Sequence, residues 1–283
     1  MKSNMNDKKT GVALIRKMTI DRVIEYIEFH LESGKRMSIH SLSAYSGYCR
    51  RHLQRIFLLE TGMRLGEYIR RRRLSRAALL CRLSLRGFQD IACSLGFDSQ
   101  QTFNREFRKT AGVTPGQYRS QPEWRLLPLA GRAGISFSVP VPERVHLPEG
   151  RILGRPLTFS GRIHEVRDNG AAAFSESVFA CQQEAQWLVV TAITPVGGRK
   201  GDYEVRCGVG APDNPCGNVF SWAEGDYLSV TFETTTTTHA ARADYIYMNI
   251  LPAHGVVRMP GVDILVFRYH EERVFCTLYI PVS

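Results

Sequence analysis

The sequence predicts an all-α N-terminal domain with two helix-turn-helix units joined by a linker helix, followed by an α+β C-terminal domain. Three observations lead there. Basic residues crowd into one half of the chain. A glycine-punctuated pattern in that half returns after fifty residues. Beyond Trp124 the helical periodicity stops, and proline and β-branched residues take over.

The charge is segregated. The 283 residues carry a formal net charge of +10. Residues 1–125 hold 24 Lys/Arg against 11 Asp/Glu, whereas residues 126–283 hold 13 against 16. A charge kept for solubility would be spread over both halves. Segregation points to a polyanion partner for the first half alone, either nucleic acid or an anionic membrane surface.

The elements follow in order. Met1 to Thr10 is polar, without the apolar stretch of a signal peptide, so residues 1–18 read as a disordered tail. Ile20, Val23, Ile24, Ile27 and Leu31 then fall at helical spacing, with Thr19 as a cap. Ser38 is a second cap, ahead of Leu42. Helical spacing continues to Arg119, punctuated at Gly47, Gly62, Gly96 and Gly112, which places a helical domain at 19–125. Pro122, Pro128, Pro140, Pro142, Pro148 and Pro156 then interrupt the chain, and 126–133 reads as a linker. The second domain, 134–283, shows strand-like runs at 187–193, 203–207, 227–232, 262–269 and 274–282. Residues 175–186 and 239–251 are its helix candidates. Strands and helices in that mixture suit an α+β fold with a largely antiparallel sheet.

The repeat carries the functional signal. Gly62-Met63-Arg64-Leu65-Gly66-Glu67-Tyr68 returns as Gly112-Val113-Thr114-Pro115-Gly116-Gln117-Tyr118. The same offset relates Leu53, Arg55 and Phe57 to Phe103, Arg105 and Phe107. Gly47-Tyr48 matches Gly96-Phe97 one step shorter, so the second copy holds one extra residue near Asp98-Ser99. Each copy reads as helix, glycine turn, helix. The faces between the inward Leu/Phe positions are polar. They carry Arg50, Arg51, Gln54 and Arg55 in the first copy, and Ser99, Gln100, Gln101, Thr102, Arg105 and Lys109 in the second. Arg grips guanine and Gln adenine with two hydrogen bonds each, and Thr offers a methyl group to thymine. A solvated face explains one such copy. Two copies on a strongly basic segment favour double-stranded DNA. The proline-free spacer 66–84 spans about 28 Å if helical, near the DNA turn of about 34 Å. It would set two recognition helices in successive major grooves, which removes the need for a dimer. Its Arg70-Arg71-Arg72-Arg73 run covers a full turn, so one or two phosphate contacts are expected from it.

Other classes find little support. The seven cysteines form no C-x-x-C and no zinc-ligand spacing, and read as reduced thiols of a cytoplasmic protein. No apolar run approaches the roughly 18 residues a membrane helix needs. No Ser/His/Asp arrangement, phosphate loop or HExxH motif is visible, and no cofactor or metal is called for. An enzymatic C-terminal domain would have only Asp226, Glu233, Tyr227 and Tyr245, candidates by residue type alone.

The residues of 19–125 resemble the DNA-binding domain of the AraC/XylS family. The carriers are Asp90-Ile91-Ala92, Gly96-Phe97, Ser99 to Phe103, Phe107-Arg108-Lys109 and Gly112 to Arg119. Arg51-His52-Leu53-Gln54-Arg55 and Phe97 to Phe103 look closest to the MarA/SoxS/Rob branch, and the domain order is that of its Rob type. The resemblance implies seven helices, with the third and sixth reading bases, and RNA polymerase as a partner. Arg51 departs from the branch, which carries Trp there, so the base preference of the first unit shifts toward guanine or phosphate. The C-terminal domain resembles, more weakly, a GyrI-like effector-binding fold, through Gly225-Asp226-Tyr227, 263–269 and Leu278 to Val282. Such folds often carry a Glu where this chain has Thr277, so the resemblance implies a small apolar or amphipathic effector and not a cation. Trp187, Trp222, Phe232, Tyr245, Thr277 and Tyr279 are the pocket candidates. A ligand-free protein-interaction role is the alternative.

Overall fold

The computed structural model describes residues 2–33, 37–163, 169–180, 186–197, 202–210, 217–270 and 272–283. Its first part is helical. In order come α1 (Lys2–Ser33), α2 (Ile39–Ser46), α3 (Arg50–Thr61), α4 (Leu65–Leu83), α5 (Phe88–Ser94), α6 (Gln100–Ala111) and α7 (Pro115–Ser120). The local reasons match the sequence. Ser38 and Ser41 form a reciprocal capping box at α2, with N–H to Oγ distances of 3.0 and 3.1 Å. Thr114 and Gln117 do the same at α7. Residues 1–18, expected as a disordered tail, instead hold helical backbone from Lys2 onward. No proline interrupts that stretch, and Arg16 pairs with Glu60 of α3, tying the extension to the folded unit. Thr19, expected as the cap, lies inside the helix and donates to the Ile15 carbonyl at 2.9 Å.

The two repeats end alike. Gly62 closes α3 at φ 70° and Gly112 closes α6 at φ 77°, each donating its N–H back into the last turn. An added Cβ at either would meet nothing within 4 Å. The cost of Gly62→Ala or Gly112→Ala is therefore conformational, about 1 kcal/mol each. Chemical denaturation should show that loss, and unchanged stability would contradict the left-handed caps.

The second part begins with a short strand, β1 (Trp124–Arg125). There follow β2 (Glu143–Leu147), β3 (Gly150–Gly161), α8 (Asn169–Phe179), β4 (Gln186–Pro195), β5 (Tyr203–Gly210), β6 (Asn218–Trp222), β7 (Gly225–Thr234) and α9 (His239–Tyr245). A π-helical turn (Ile246–Ile250), α10 (Leu251–Ala253), β8 (Val257–Arg258), β9 (Asp263–His270) and β10 (Arg273–Pro281) complete it. Eight strands form an antiparallel sheet in the order β2-β7-β10-β9-β4-β5-β3-β6. The expected helix 175–186 lies earlier, at α8, and 181–185 fall outside the described residues. β2, β3 and β6 fall outside the strand-like runs of the sequence. Prolines hid the first two, yet Pro156 sits in β3 beyond Gly154, where β6 no longer pairs and only β5 remains. Among the described residues one flank of β3 is unpaired there, and an edge tolerates a residue without an N–H.

The cores explain how the parts join. The first unit has a core of its own, from Ile20 and Ile27 of α1 to Phe57 and Tyr68. The second unit shares one core with the C-terminal domain, running from Leu74, Phe103 and Phe107 to Trp187, Phe267 and Ile280. The stretch 126–133, expected as a linker, is packed in place. Leu126 and Leu129 are buried, and Ala130 donates its N–H to Ser75 Oγ of α4 at 3.0 Å. β1 pairs with β8, and Trp124 stacks on Tyr247 of the π turn at 6.5 Å.

Candidate nucleic-acid interface

On α3, Leu53, Ile56 and Phe57 are buried, so Arg50, Arg51, Gln54 and Arg55 stand on the exposed face together. Arg55 Nη2 lies 3.4 Å from His52 Nδ1. A guanidinium only donates, so His52 accepts there. His52 also packs against Tyr48 with ring centroids 4.8 Å apart. His52 lies three residues before Arg55, one helical turn away, and this spacing was the available signal for a residue the sequence reading had not placed at the interface.

On α6, Phe103, Phe107 and Ala111 are buried. Gln101, Arg105 and Lys109 are exposed, and Gln100 and Thr102 half-buried. Ser99 is the helix cap. Its Oγ accepts the Thr102 N–H and donates to Thr102 Oγ1, both at 3.1 Å. That hydroxyl holds the helix start, which leaves base contact to the residues after it. Asn104, Arg108 and Thr114 line a shallow basic groove with Arg105 and Lys109. Asn104 and Thr114 escaped the sequence reading because they lie on the flank of α6 and beyond its end.

The four-arginine run splits as a helical turn must. Arg70 and Arg71 are exposed, and Arg71 pairs with Glu67 at 2.9 Å. Arg73 lies over the Phe97 ring at 5.3 Å. Arg72 points inward. Its Nε and Nη2 donate to the two Glu28 oxygens at 2.9 and 2.7 Å, and its Nη1 donates to the Ala130 carbonyl. Tyr68 donates to Glu28 at 2.9 Å, and Arg76 lies 3.6 Å from it. Burial would raise the Glu28 pKa, but the Arg72 bonds and charge, Arg76 and Tyr68 together hold it below the usual carboxylate value. Arg76 also donates to the Ile163 carbonyl at 2.7 Å, and Arg86 makes two bonds to Asp202 at 2.8 and 3.1 Å. α4 and the segment after it are thus bonded to the first unit, the 126–133 stretch and the C-terminal domain.

The six pocket candidates do not share one face. Strand pleating sends alternate residues to opposite sides. Trp187 and Phe232 lie on the face covered by α8 and α9, within the large shared core. Trp222 and Tyr279 lie with Tyr227 on the other face. Thr277 alternates with buried Cys276 and Leu278, and meets Thr231 at 2.9 Å between hydroxyl oxygens. Tyr245 stands on α9, edge-on to Phe137 at 5.4 Å. The candidates for catalysis do not converge either. Asp226 bonds His146 at 2.9 Å at the start of β7, and Glu233 pairs with Arg273 at 3.7 Å near its end. Cys49, Cys81, Cys93 and Cys276 are free thiols, Cys207 is buried, and Cys181 and Cys216 lie outside the described residues. Among the described residues no helix is long and apolar enough to cross a membrane.

Comparison with known proteins places this geometry. A helix-turn-helix domain family matches residues 42–121. The F1 operon positive regulatory protein of Yersinia pestis is 30% identical over 285 aligned residues, covering 95% of this chain and 89% of that protein. The right origin-binding protein of Escherichia coli (strain K12) is 37% identical over 144 residues, half of this chain and 49% of its own length. The regulatory protein SoxS of Salmonella typhimurium is 44% identical over 100 residues, which are 35% of this chain and 92% of that protein.

Proposed function

Since the chain belongs to the AraC/XylS family of DNA-binding transcription regulators, we propose that it binds promoter DNA as a monomer, with α3 and α6 in successive major grooves, and that it activates transcription. The observation that carries this is the duplicated frame, which buries Leu53 and Phe57 in one unit and Phe103 and Phe107 in the other. Each pair leaves an Arg- or Gln-bearing face on its helix open. RNA polymerase is the partner that the family resemblance implies, and the Yersinia relative is named a positive regulatory protein, which supports activation. The C-terminal domain, bonded to Arg76 of α4 and packed in one core with Leu126 and Leu129, is the site of modulation by a small, largely apolar molecule. Two of the three relatives carry regulatory names, and they support a regulatory role for this chain over a catalytic one.

Binding to promoter fragments over a salt series tests the reading. Several phosphate contacts require the logarithm of affinity to fall steeply with the logarithm of salt concentration. A slope near zero would overturn the proposal. Arg55→Ala or Gln54→Ala should weaken binding by about 1–3 kcal/mol and relax preference at one base position. Lys109→Ala, a phosphate contact, should weaken all sequences alike.

A further inference from the structure

α3 and α6 are built to one pattern, and the pattern gives Asn104 a counterpart. Both helices run for 12 residues and end on a left-handed glycine, Gly62 or Gly112. Gln54 is the fifth residue of α3 and Asn104 the fifth of α6. Each follows a buried residue, Leu53 or Phe103, and stands one turn before a buried phenylalanine, Phe57 or Phe107. Helix geometry therefore turns both side chains to the same flank of the outward face. Both end in a carboxamide.

The surroundings of Asn104 suit contact with a base. It lines the basic groove with Arg105, Arg108, Lys109 and Thr114. The Thr114 hydroxyl is engaged in the α7 cap: it donates to Gln117 Oε1 at 3.0 Å and accepts the Gln117 N–H at 3.3 Å. Arg105, Arg108 and Lys109 carry donors only. Asn104 offers a donor and an acceptor together, and among the described residues nothing bonds its amide. That pair matches the major-groove edge of adenine, whose N6 amine donates and whose N7 accepts. The cations beside it suit guanine or phosphate instead. Four residues beyond the shared carboxamide the copies part. Exposed Arg108 of α6 answers to exposed Leu58 of α3.

We propose that Asn104 is a specificity-determining residue that reads one adenine in the half-site of the second unit. Its Oδ1 accepts from the N6 amine and its Nδ2 donates to N7. Arg108, one turn further along the same flank, supplies a phosphate grip that Leu58 cannot give the first unit, and draws this side of α6 to the duplex. The inference rests on the DNA-binding reading above and adds to it a residue, a base and the atoms that meet.

The test uses the full chain and a duplex that the wild type selects from a randomised pool. Competition against single-base variants of that duplex gives the preference at each position. Wild type should favour adenine at one position of the second half-site by about 5- to 150-fold, the range of one bidentate base contact. Asn104→Ala should lose that preference and keep those at the other positions. Asn104→Gln, which carries the carboxamide of the first unit, should retain it. A further measurement needs no variant to fold. Replacing the favoured adenine with 7-deazaadenine deletes the N7 acceptor and leaves base pairing intact, and it should weaken wild-type binding severalfold. Asn104→Ala should not respond to that replacement. Equal weakening of every duplex by Asn104→Ala would make the residue a phosphate contact and overturn the assignment. So would an unchanged adenine preference in that variant, or indifference of the wild type to 7-deazaadenine at the favoured position. A selected duplex with clear base preferences, none of them traced to Asn104, defeats this inference alone. Failure to select any sequence defeats the DNA-reading proposal with it.

Discussion

Replacing Glu28 with Gln is expected to lower the stability of the protein by about 3–5 kcal/mol, the usual cost of removing one partner from a buried ion pair. Glu28, Arg72 and Arg76 are all under one-tenth exposed. In the variant, two buried guanidinium groups would lose the carboxylate they bond and keep only the charge of Asp244 nearby. The damage would also spread along the chain. Arg72 bonds the Ala130 carbonyl, and Tyr68, whose hydroxyl donates to Glu28, receives the Ala133 N–H at 3.4 Å. The stretch 126–133 therefore depends on the same cluster. Urea denaturation gives the loss directly, and a change under about 1 kcal/mol would contradict a buried, mutually satisfied cluster. Acid gives a second reading. The folded-state pKa of Glu28 is held below its ordinary value of 4.5. Its ionised form stabilises fully above that value, and the contribution is lost as pH falls through the lower folded-state pKa. The wild type should lose this contribution below about pH 4.5, whereas Glu28→Gln should lack that component of its acid transition.

Phe107→Ala is expected to cost about 3–5 kcal/mol through the cavity it leaves. Phe107 packs edge-on against Phe103 at 5.6 Å and against Tyr118 at 5.2 Å, beneath the exposed face of α6. The distinctive outcome concerns what melts together. The second unit shares its core with the C-terminal domain, so Phe107→Ala should lower the melting of both as one step. Phe57→Ala, in the separate core of the first unit, should loosen that unit first. Hydrogen exchange resolved along the chain would tell the two apart. Protection lost only around α6 in Phe107→Ala, with the sheet unaffected, would show that the shared core does not act as one unit.

The helical half was readable because its signals are local. Capping residues, left-handed glycines and a 3.6-residue apolar period act within a few positions, and the repeat doubled each of them. Ser38, Gly62 and Gly112 sit where the pattern put them. The faces of α3 and α6 followed, since burying Leu53 and Phe57, or Phe103 and Phe107, dictates which residues remain outside. Asn104, Thr114 and His52 were harder. Their place at the interface depends on helix flank, on the α6–α7 turn and on a side-chain partner, none of which a period describes.

The C-terminal half was readable in class and not in layout. The runs at 187–193 and 263–269 have the composition of strands, but β3 carries Pro156, which composition alone disqualifies. Only the end of the β6 pairing at Gly154 makes it admissible. The pocket candidates scattered for a related reason. Residue type marks Trp187 and Trp222 alike, and the pleat together with register decides which face each one joins.

Two helix-turn-helix units with polar reading faces, ahead of an α+β domain, are written in caps, glycines and periodicity, which are near-neighbour effects. That Arg72 serves the interior and not DNA is a matter of tertiary contact. So is the packing of 126–133 as a strap and the single core shared by the second unit and the C-terminal domain. Those outcomes depend on contacts between residues far apart in the chain, such as Glu28 with Arg72 or Arg86 with Asp202. Such pairings are set by packing and by the need to satisfy buried charge, and no short window of sequence contains both partners.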